Sequence, residues 1–283
     1  MDPPSRPTYL WEVVPAPEPA SNPEPDYDPI ALEAFASREI WRVTPCSTPP
    51  GGTLEPLSAE WFEHLEAKRY RRHGRWLAKL LEFDRHPRES LLAIGDGLGI
   101  DWVNYARAGA SVSVLDPSSD RLRLYRHHFG VRKVQANYIQ APMSHWPLAD
   151  DRTDVVAAVF NERPDVPWVE VMGEAFRVLR PGGKMLAVLP SHFNVNRWSE
   201  MLLPWRNLFR RRDRSDRFTG REMREHFEPF TDVRVWKRHL RRSEMPYLWR
   251  WMMLPVAERL MGRFLVIKAF KPLRASGIIR MAA

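Results

Sequence analysis

The sequence predicts an α/β fold: a mostly parallel sheet with helices on both faces. Three observations carry that expectation. The stretch Ser90-Leu-Leu-Ala-Ile-Gly-Asp-Gly-Leu-Gly99 is a short apolar run that ends in glycines at alternate positions, Gly95, Gly97 and Gly99. About twenty residues on, Ser111-Val-Ser-Val-Leu-Asp116 is a second apolar run, and it ends in an acid. From there strand-like and helix-like patterns alternate through about Pro190.

Taken in order, the elements begin with a proline-rich stretch. Half of the 26 prolines fall at or before Pro56, and segments such as Pro15-Ala-Pro-Glu-Pro19 cannot build helix or sheet. Residues 1–37 are therefore expected to be a disordered tail, although the composition becomes more structured around Asp28–Phe35. Residues 38–88 are expected to form an N-terminal arm and helix. Ser58 to Phe83 has helical apolar spacing around a basic middle that includes Lys68 and Arg69. Glycines after the first strand let the backbone turn sharply and approach a ligand with no Cβ in the way. The acid at the tip of the second strand can accept hydrogen bonds from two ribose hydroxyls. Asp154-Val-Val-Ala-Ala-Val-Phe160 reads as the next central strand. In Glu174-Ala-Phe-Arg-Val-Leu-Arg-Pro-Gly-Gly183 a helix is stopped and the chain turned into the strand Lys184–Leu189.

Ser191 to Asp216 interrupts the alternation with an aromatic, arginine-rich insertion that contains Trp198, Trp205 and Phe209. Thr219 is placed to cap a short helix through Phe227. Asp232–Trp236 and Arg263–Phe270 read as the last two strands, with the methionine-rich segment Met245–Met261 between them. The two insertions, near 191–216 and 243–261, are expected to form a cap beside the strand ends, and residues 273–283 a C-terminal tail.

This ordered set resembles the class I S-adenosylmethionine-dependent methyltransferases. Ile40-Trp-Arg-Val-Thr-Pro-Cys46, Glu66-Ala-Lys-Arg-Tyr70 and Phe264–Lys271 are similar to features of the type 11 methyltransferase domain. The resemblance covers roughly Arg38 to Pro272. It implies a Rossmann-like seven-stranded, mostly parallel sheet with an antiparallel last strand, over residues 89–272. It implies S-adenosyl-L-methionine as cofactor, with Gly95 and Gly97 on its methionine part and Asp116 on its ribose. Asp96, Leu98, Gly99, Pro117, Asn137, Tyr138 and Phe160 complete the expected contact set. The arm at Ile40–Cys46 and the Glu66–Tyr70 helix are expected to act as a lid.

Three positions depart from the family pattern. Ala93 stands where an acid usually holds the cofactor's ammonium group, a role Asp96 could take. Pro142 stands where an acid usually faces the adenine, which leaves Asn137, Tyr138 or Gln140 to supply a hydrogen bond or a stacking face. Asn161-Glu-Arg-Pro164 replaces the histidine element that often follows the fourth strand. Methyl transfer needs alignment and water exclusion more than covalent machinery. His192 and Glu162 are the candidate bases, each set against an ordinary loop role. Asp101 reads as an acid in the first turn of its helix. No metal site is expected: His127 and His128 are adjacent, point to different faces and read as surface residues. Tyr105 and Phe129 read as core.

A net charge of +8 favours anionic surfaces. The single cysteine, Cys46, excludes an intrachain disulfide, and no stretch reads as a secretory signal or a membrane span, so the expected location is the cytoplasm. The function expected is methyl transfer to a small, partly apolar acceptor, with a weak membrane-surface contact as a further expectation. Two alternatives stand beside it: a degenerate methyltransferase-fold scaffold, and a nucleic-acid methyltransferase suggested by interleaved Trp and Arg. No specific nucleic-acid partner is expected, since no separate RNA-binding module is seen.

Overall fold

A computed structural model describes residues 28–40, 54–73, 75–161, 168–191, 218–240, 245 and 251–273. The expected bases His192 and Glu162, residues 41–53 of the arm and nearly all of the first insertion lie outside the described residues.

The central strands of the sheet are apolar on both faces. β1 (Ser90–Gly95) and β4 (Thr153–Val159) are its centre. Leu91 and Ala93 of β1, with Val155 and Ala157 of β4, face one core. Leu92 and Ile94, with Val156 and Ala158, face the other. A period of two with both sides buried is the signature of a doubly covered parallel sheet. β2 (Ser111–Asp116) and β3 (Asn137–Gln140) extend it one way; β5 (Leu179–Pro190), β6 (Thr231–Arg238) and β7 (Phe264–Phe270) extend it the other. The order is β3-β2-β1-β4-β5-β7-β6. All strands run parallel except β7, which pairs antiparallel with both β5 and β6. The expected seven-stranded architecture is therefore the observed one.

On one face pack α3 (Arg75–Leu81), α4 (Ile100–Arg107) and α5 (Ser119–Val131), burying Leu77, Trp102, Tyr105, Tyr125 and Phe129. On the other pack α6 (Trp168–Val178) and α7 (Gly220–His226). Thr219 caps α7 in a reciprocal pair with Glu222, as its spacing predicts. The stop at Arg180–Gly183 is absorbed as the irregular start of β5, where the register shifts against β4.

The N-terminal arm forms a third cluster. α1 (Pro29–Glu39) starts at Asp28, whose carboxylate accepts from the Ile30 N–H at 3.0 Å. Residues 29–37, assigned from composition to a disordered tail, are thus helical. A Pro at the first turn and a capping Asp start a helix rather than prevent one. α2 (Ala59–Ala67) is capped by Ser58 and runs into a π-helical turn, Lys68–His73. Leu32, Ala36, Trp61, Phe62 and Leu65 pack together with Leu98, Ile100 and Leu124. The arm therefore lies across the glycine loop and α5. His127 and His128 are the hinge of that docking and not surface residues. His127 Nε2 lies 2.9 Å from the Leu57 carbonyl. The His128 ring is buried, stacks on Phe62 at 3.7 Å and bonds through Nδ1 to the Leu98 carbonyl. Both reach inward because the arm covers a helix face that looks solvent-facing in sequence.

Candidate functional site

The chain moves from β1 outward through β2 and β3, then returns to β4 on the other side of β1. The carboxyl ends of β1 and β4 are consequently the switch point, where open α/β sheets bind ligands. Gly95 pairs with Val159 there. Its φ is +149°, and a Cβ built on it would lie 2.0 Å from the Val159 carbonyl oxygen. Only glycine lets the two strand ends sit so close. Gly97 and Gly99 also have positive φ, +99° and +71°. Gly99 opens α4, and a Cβ on it would lie 2.8 Å from the Tyr125 ring. Burial raises the Tyr125 hydroxyl well above the ordinary phenol range. It stays protonated and donates to the Gly95 carbonyl oxygen at 3.4 Å.

Two polar clusters surround this loop. Asp96 reaches across the switch point: its oxygens accept from the Asn161 backbone N–H at 3.0 Å and from the Asn161 side-chain amide at 2.6 Å. Asp101, in the first turn of α4, is buried. It accepts from Arg69 Nε at 3.0 Å and Nη2 at 2.6 Å, and from the Tyr70 hydroxyl. Burial opposes the Arg69 charge, but the Asp101 carboxylate more than offsets it, so Arg69 stays a cation. Arg69 and Tyr70 come from the π-helical turn, a distortion found often at functional sites. Arg69, Asp96, Gly97, Asp101 and Asn161 are among the residues lining a small cleft at this edge.

The tip of β2 is different. Asp116 has no exposed surface. It accepts from the Ser118 N–H at 2.8 Å and from Arg121 Nη1 at 3.0 Å. Arg121 Nε lies 3.4 Å from a carboxylate oxygen of Glu39, the last residue of α1. Burial pushes the Asp116 carboxyl above its ordinary value, and Arg121 only partly reverses that. Two acids thus share one guanidinium beneath the arm.

Residues 91–183 match the family described as a methyltransferase domain. That match and the sheet order together support a class I S-adenosylmethionine-dependent methyltransferase fold over these residues. It is 29% identical over 106 residues to a demethylmenaquinone methyltransferase of Renibacterium salmoninarum, covering 38% of this chain and 43% of that protein. It is 32% identical over 94 residues to the ubiquinone/menaquinone biosynthesis C-methyltransferase of Bartonella quintana, covering 30% and 34%. The matches thus span less than half the length of these curated relatives. In fold it is similar to the geranyl diphosphate C-methyltransferase of Streptomyces coelicolor A3(2), with a TM-score of 0.52 at 12% identity over 78% of this chain and 82% of that one.

The cofactor of such a methyltransferase domain is S-adenosyl-L-methionine. The loop fits it: Gly97 and Gly99 line the cleft with positive φ, and Asp96 and Arg69 are among the residues of its wall. At the β2 end, Arg121 occupies the Asp116 carboxylate.

Of the contact set expected from sequence, the domain brings Asp96, Gly97, Leu98 and Gly99 to this cleft, with Gly95 at the end of β1 just before them. Leu98, however, is buried against the arm. Asp116 and the exposed Pro117 lie at the neighbouring strand tip. Asn137 and Tyr138 do not reach that edge. Asn137 pairs with Ser113, while Asp116 pairs with Gln140, so Asn137 sits about 10 Å back along the strand. The Tyr138 ring is held between Phe129 and Arg126 on the α5 face. Gln140 is the residue of β3 at the edge. Phe160 points into the other core, edge-on to Trp168. Sequence reasoning missed Asn161 as a partner of Asp96, and it cast Arg69 and Tyr70 only as parts of a lid. Among the described residues no group of three His, Cys, Asp or Glu could hold a metal ion.

Proposed function

We propose that this protein transfers a methyl group from S-adenosyl-L-methionine to a small, partly apolar acceptor. The observation that carries this reading is the cleft at the switch point, where the glycine loop meets Asp96, Asn161 and Arg69. The bound cofactor supplies a methyl group already activated by a positively charged sulfur. The chain's part is to hold and orient. Backbone of Gly95–Gly99 approaches closely because no side chain intervenes. An amino-acid moiety carries one positive and one negative charge, and Asp96 and Arg69 offer a complementary pair on one wall. Asp116, once released from Arg121, is the ribose acceptor. Alignment of this kind, with water excluded, is the larger part of what methyl transfer needs.

The named quinone-pathway relatives and the geranyl diphosphate enzyme act on compounds with apolar parts, which supports a lipophilic acceptor here. The single cysteine suits work in the cytoplasm. A proton on the acceptor calls for a base, and Glu162 and His192 remain the candidates from sequence.

A second reading, a scaffold that keeps the fold without turnover, is favoured by one observation: the sealed Asp116–Arg121–Glu39 cluster. Titration calorimetry with S-adenosylhomocysteine separates the two. Saturable binding that Asp96→Asn weakens about tenfold, in line with loss of a charged hydrogen bond, is the expected result. No binding by the wild type overturns the enzymatic reading. With binding in hand, turnover of polar and apolar acceptors with labelled methyl donor tests the acceptor class.

A further inference from the structure

The segment between β6 and β7 leaves the sheet on the same edge as the glycine loop. The chain of pairings Gly95–Val159, Val159–Val188 and Val188–Val266 crosses the sheet at one level, and Arg238 and Phe264 lie just beyond it. α8 (Leu254–Met261) belongs to this segment. One side of α8 is accounted for. Ala257 and Met261 are buried with Leu240 and Met245. Glu258 holds the helix to β6, accepting from the His239 N–H at 2.9 Å and facing Arg238 at 3.6 Å.

The other side is not. Trp251 is 82% exposed and Met253 70%, followed by Leu254, Val256 and Leu260 at 39–44%. Among the described residues, these are five of the eight exposed large apolar side chains, gathered within ten positions. The rest of the fold does not leave apolar groups in water this way: both sheet faces and the arm are closely covered. Exposed apolar side chains gathered in one short segment mark an interaction site.

Charge indicates the partner. Residues 237–263 contain seven Lys or Arg and two Glu, and one of those Glu already faces Arg238. Arg259 is exposed on α8 itself, between Val256 and Leu260. An exposed apolar face with Arg259 on the same helix, in a segment rich in cations and with a tryptophan at its start, is complementary to an anionic bilayer surface: apolar side chains enter the headgroup boundary and cations meet lipid phosphates. No described helix is long and apolar enough to cross a membrane, so contact at this face is peripheral.

We infer that the Trp251–Leu260 face is a docking surface for anionic lipid bilayers. It holds the strand-end edge of the sheet, and the cleft on that edge, against the membrane. This goes beyond the proposed methyl transfer and does not depend on it: docking is read without turnover. If the acceptor is lipophilic, the same face brings the cleft to where such a compound is dissolved.

The test is flotation of the full chain with vesicles of phosphatidylcholine alone, and of phosphatidylcholine with phosphatidylglycerol, at low and moderate salt. Partition onto the anionic vesicles that salt weakens is expected. Val256→Asp with Leu260→Asp should weaken it about tenfold or more, and Arg259→Glu several-fold. Both apolar positions are partly exposed, so the thermal midpoint should hold. If the double variant does not fold, Trp251→Gln replaces it, with the same direction expected. Three outcomes overturn the inference: no partition onto anionic vesicles, partition that none of these variants alters, or self-association without lipid that the Asp variants abolish. The last would make the face a contact between copies of the chain.

Discussion

The strand tips on either side of the glycine loop are built from the same kind of parts and end in opposite states. At the β1–β4 end, Asp96 spans to Asn161 and Arg69 is tied to Asp101, yet all four residues still line a small cleft. At the β2 end, Asp116 is closed off by Arg121, itself shared with Glu39 of the arm. The difference lies in who supplies the partner. Asn161 and Asp101 come from the rim of the cleft. Glu39 comes from a helix laid over it, so pairing and closure happen together. An acid at the right strand tip is therefore not yet an available acid.

The sharpest way to break this contrast is at the open end. Gly95→Ala places a methyl group within 2.0 Å of the Val159 carbonyl at φ +149°. It should cost about 4 kcal/mol or more, or prevent folding outright. Urea unfolding that matches the wild type would show that the strand ends can part at no cost. Next in size is Asp101→Asn, which strands the buried Arg69 guanidinium. A loss of about 3 kcal/mol is expected. An unchanged midpoint would mean that Arg69 finds another partner in the cleft.

A third route is pH. Burial lowers the His128 imidazole from 6.5 to about 3. Between those values the unfolded chain binds a proton that the folded chain refuses. Stability from this group is complete above pH 6.5 and is lost as pH falls, by about 2 kcal/mol at pH 5. Because His128 stacks on Phe62, the loss should appear as loosening of the arm, read by hydrogen exchange in α1 and α2. His128→Gln should flatten the dependence between pH 7 and 5; an equally steep variant assigns it elsewhere. The smallest expected effect sharpens the comparison most. Glu39→Gln removes one of the two acids holding Arg121. S-adenosylhomocysteine affinity should rise a few-fold, about 1 kcal/mol. A fall in affinity would make Glu39 part of the binding site rather than its cover.

The sheet was legible because its signals are local. Alternating apolar residues, three glycines and a terminal acid lie within runs of about ten residues. The placement of Gly95 at the switch point followed from them. The contacts that decide the cleft's state are not local. Arg69 meets Asp101 across 32 residues and Asp96 meets Asn161 across 65, while Glu39 meets Arg121 from a helix that proline content had hidden. β3 misled for another reason. Four residues give too little pattern to fix register, and a shift along the strand took Asn137 and Tyr138 away from the edge. His127 and His128 failed as surface residues because a helix face is polar or covered only in relation to what lies over it.

The tight fit of Gly95 against Val159 also bears on how such chains diverge. The constraint is set by two strands meeting, and no ligand enters into it. A descendant that gave up catalysis would still be held to glycine there by folding alone, while Asp96 or Asp116 could drift. Glycine at the end of β1 is thus a marker of ancestry in this architecture. Evidence of present activity has to be sought in the acids beside it.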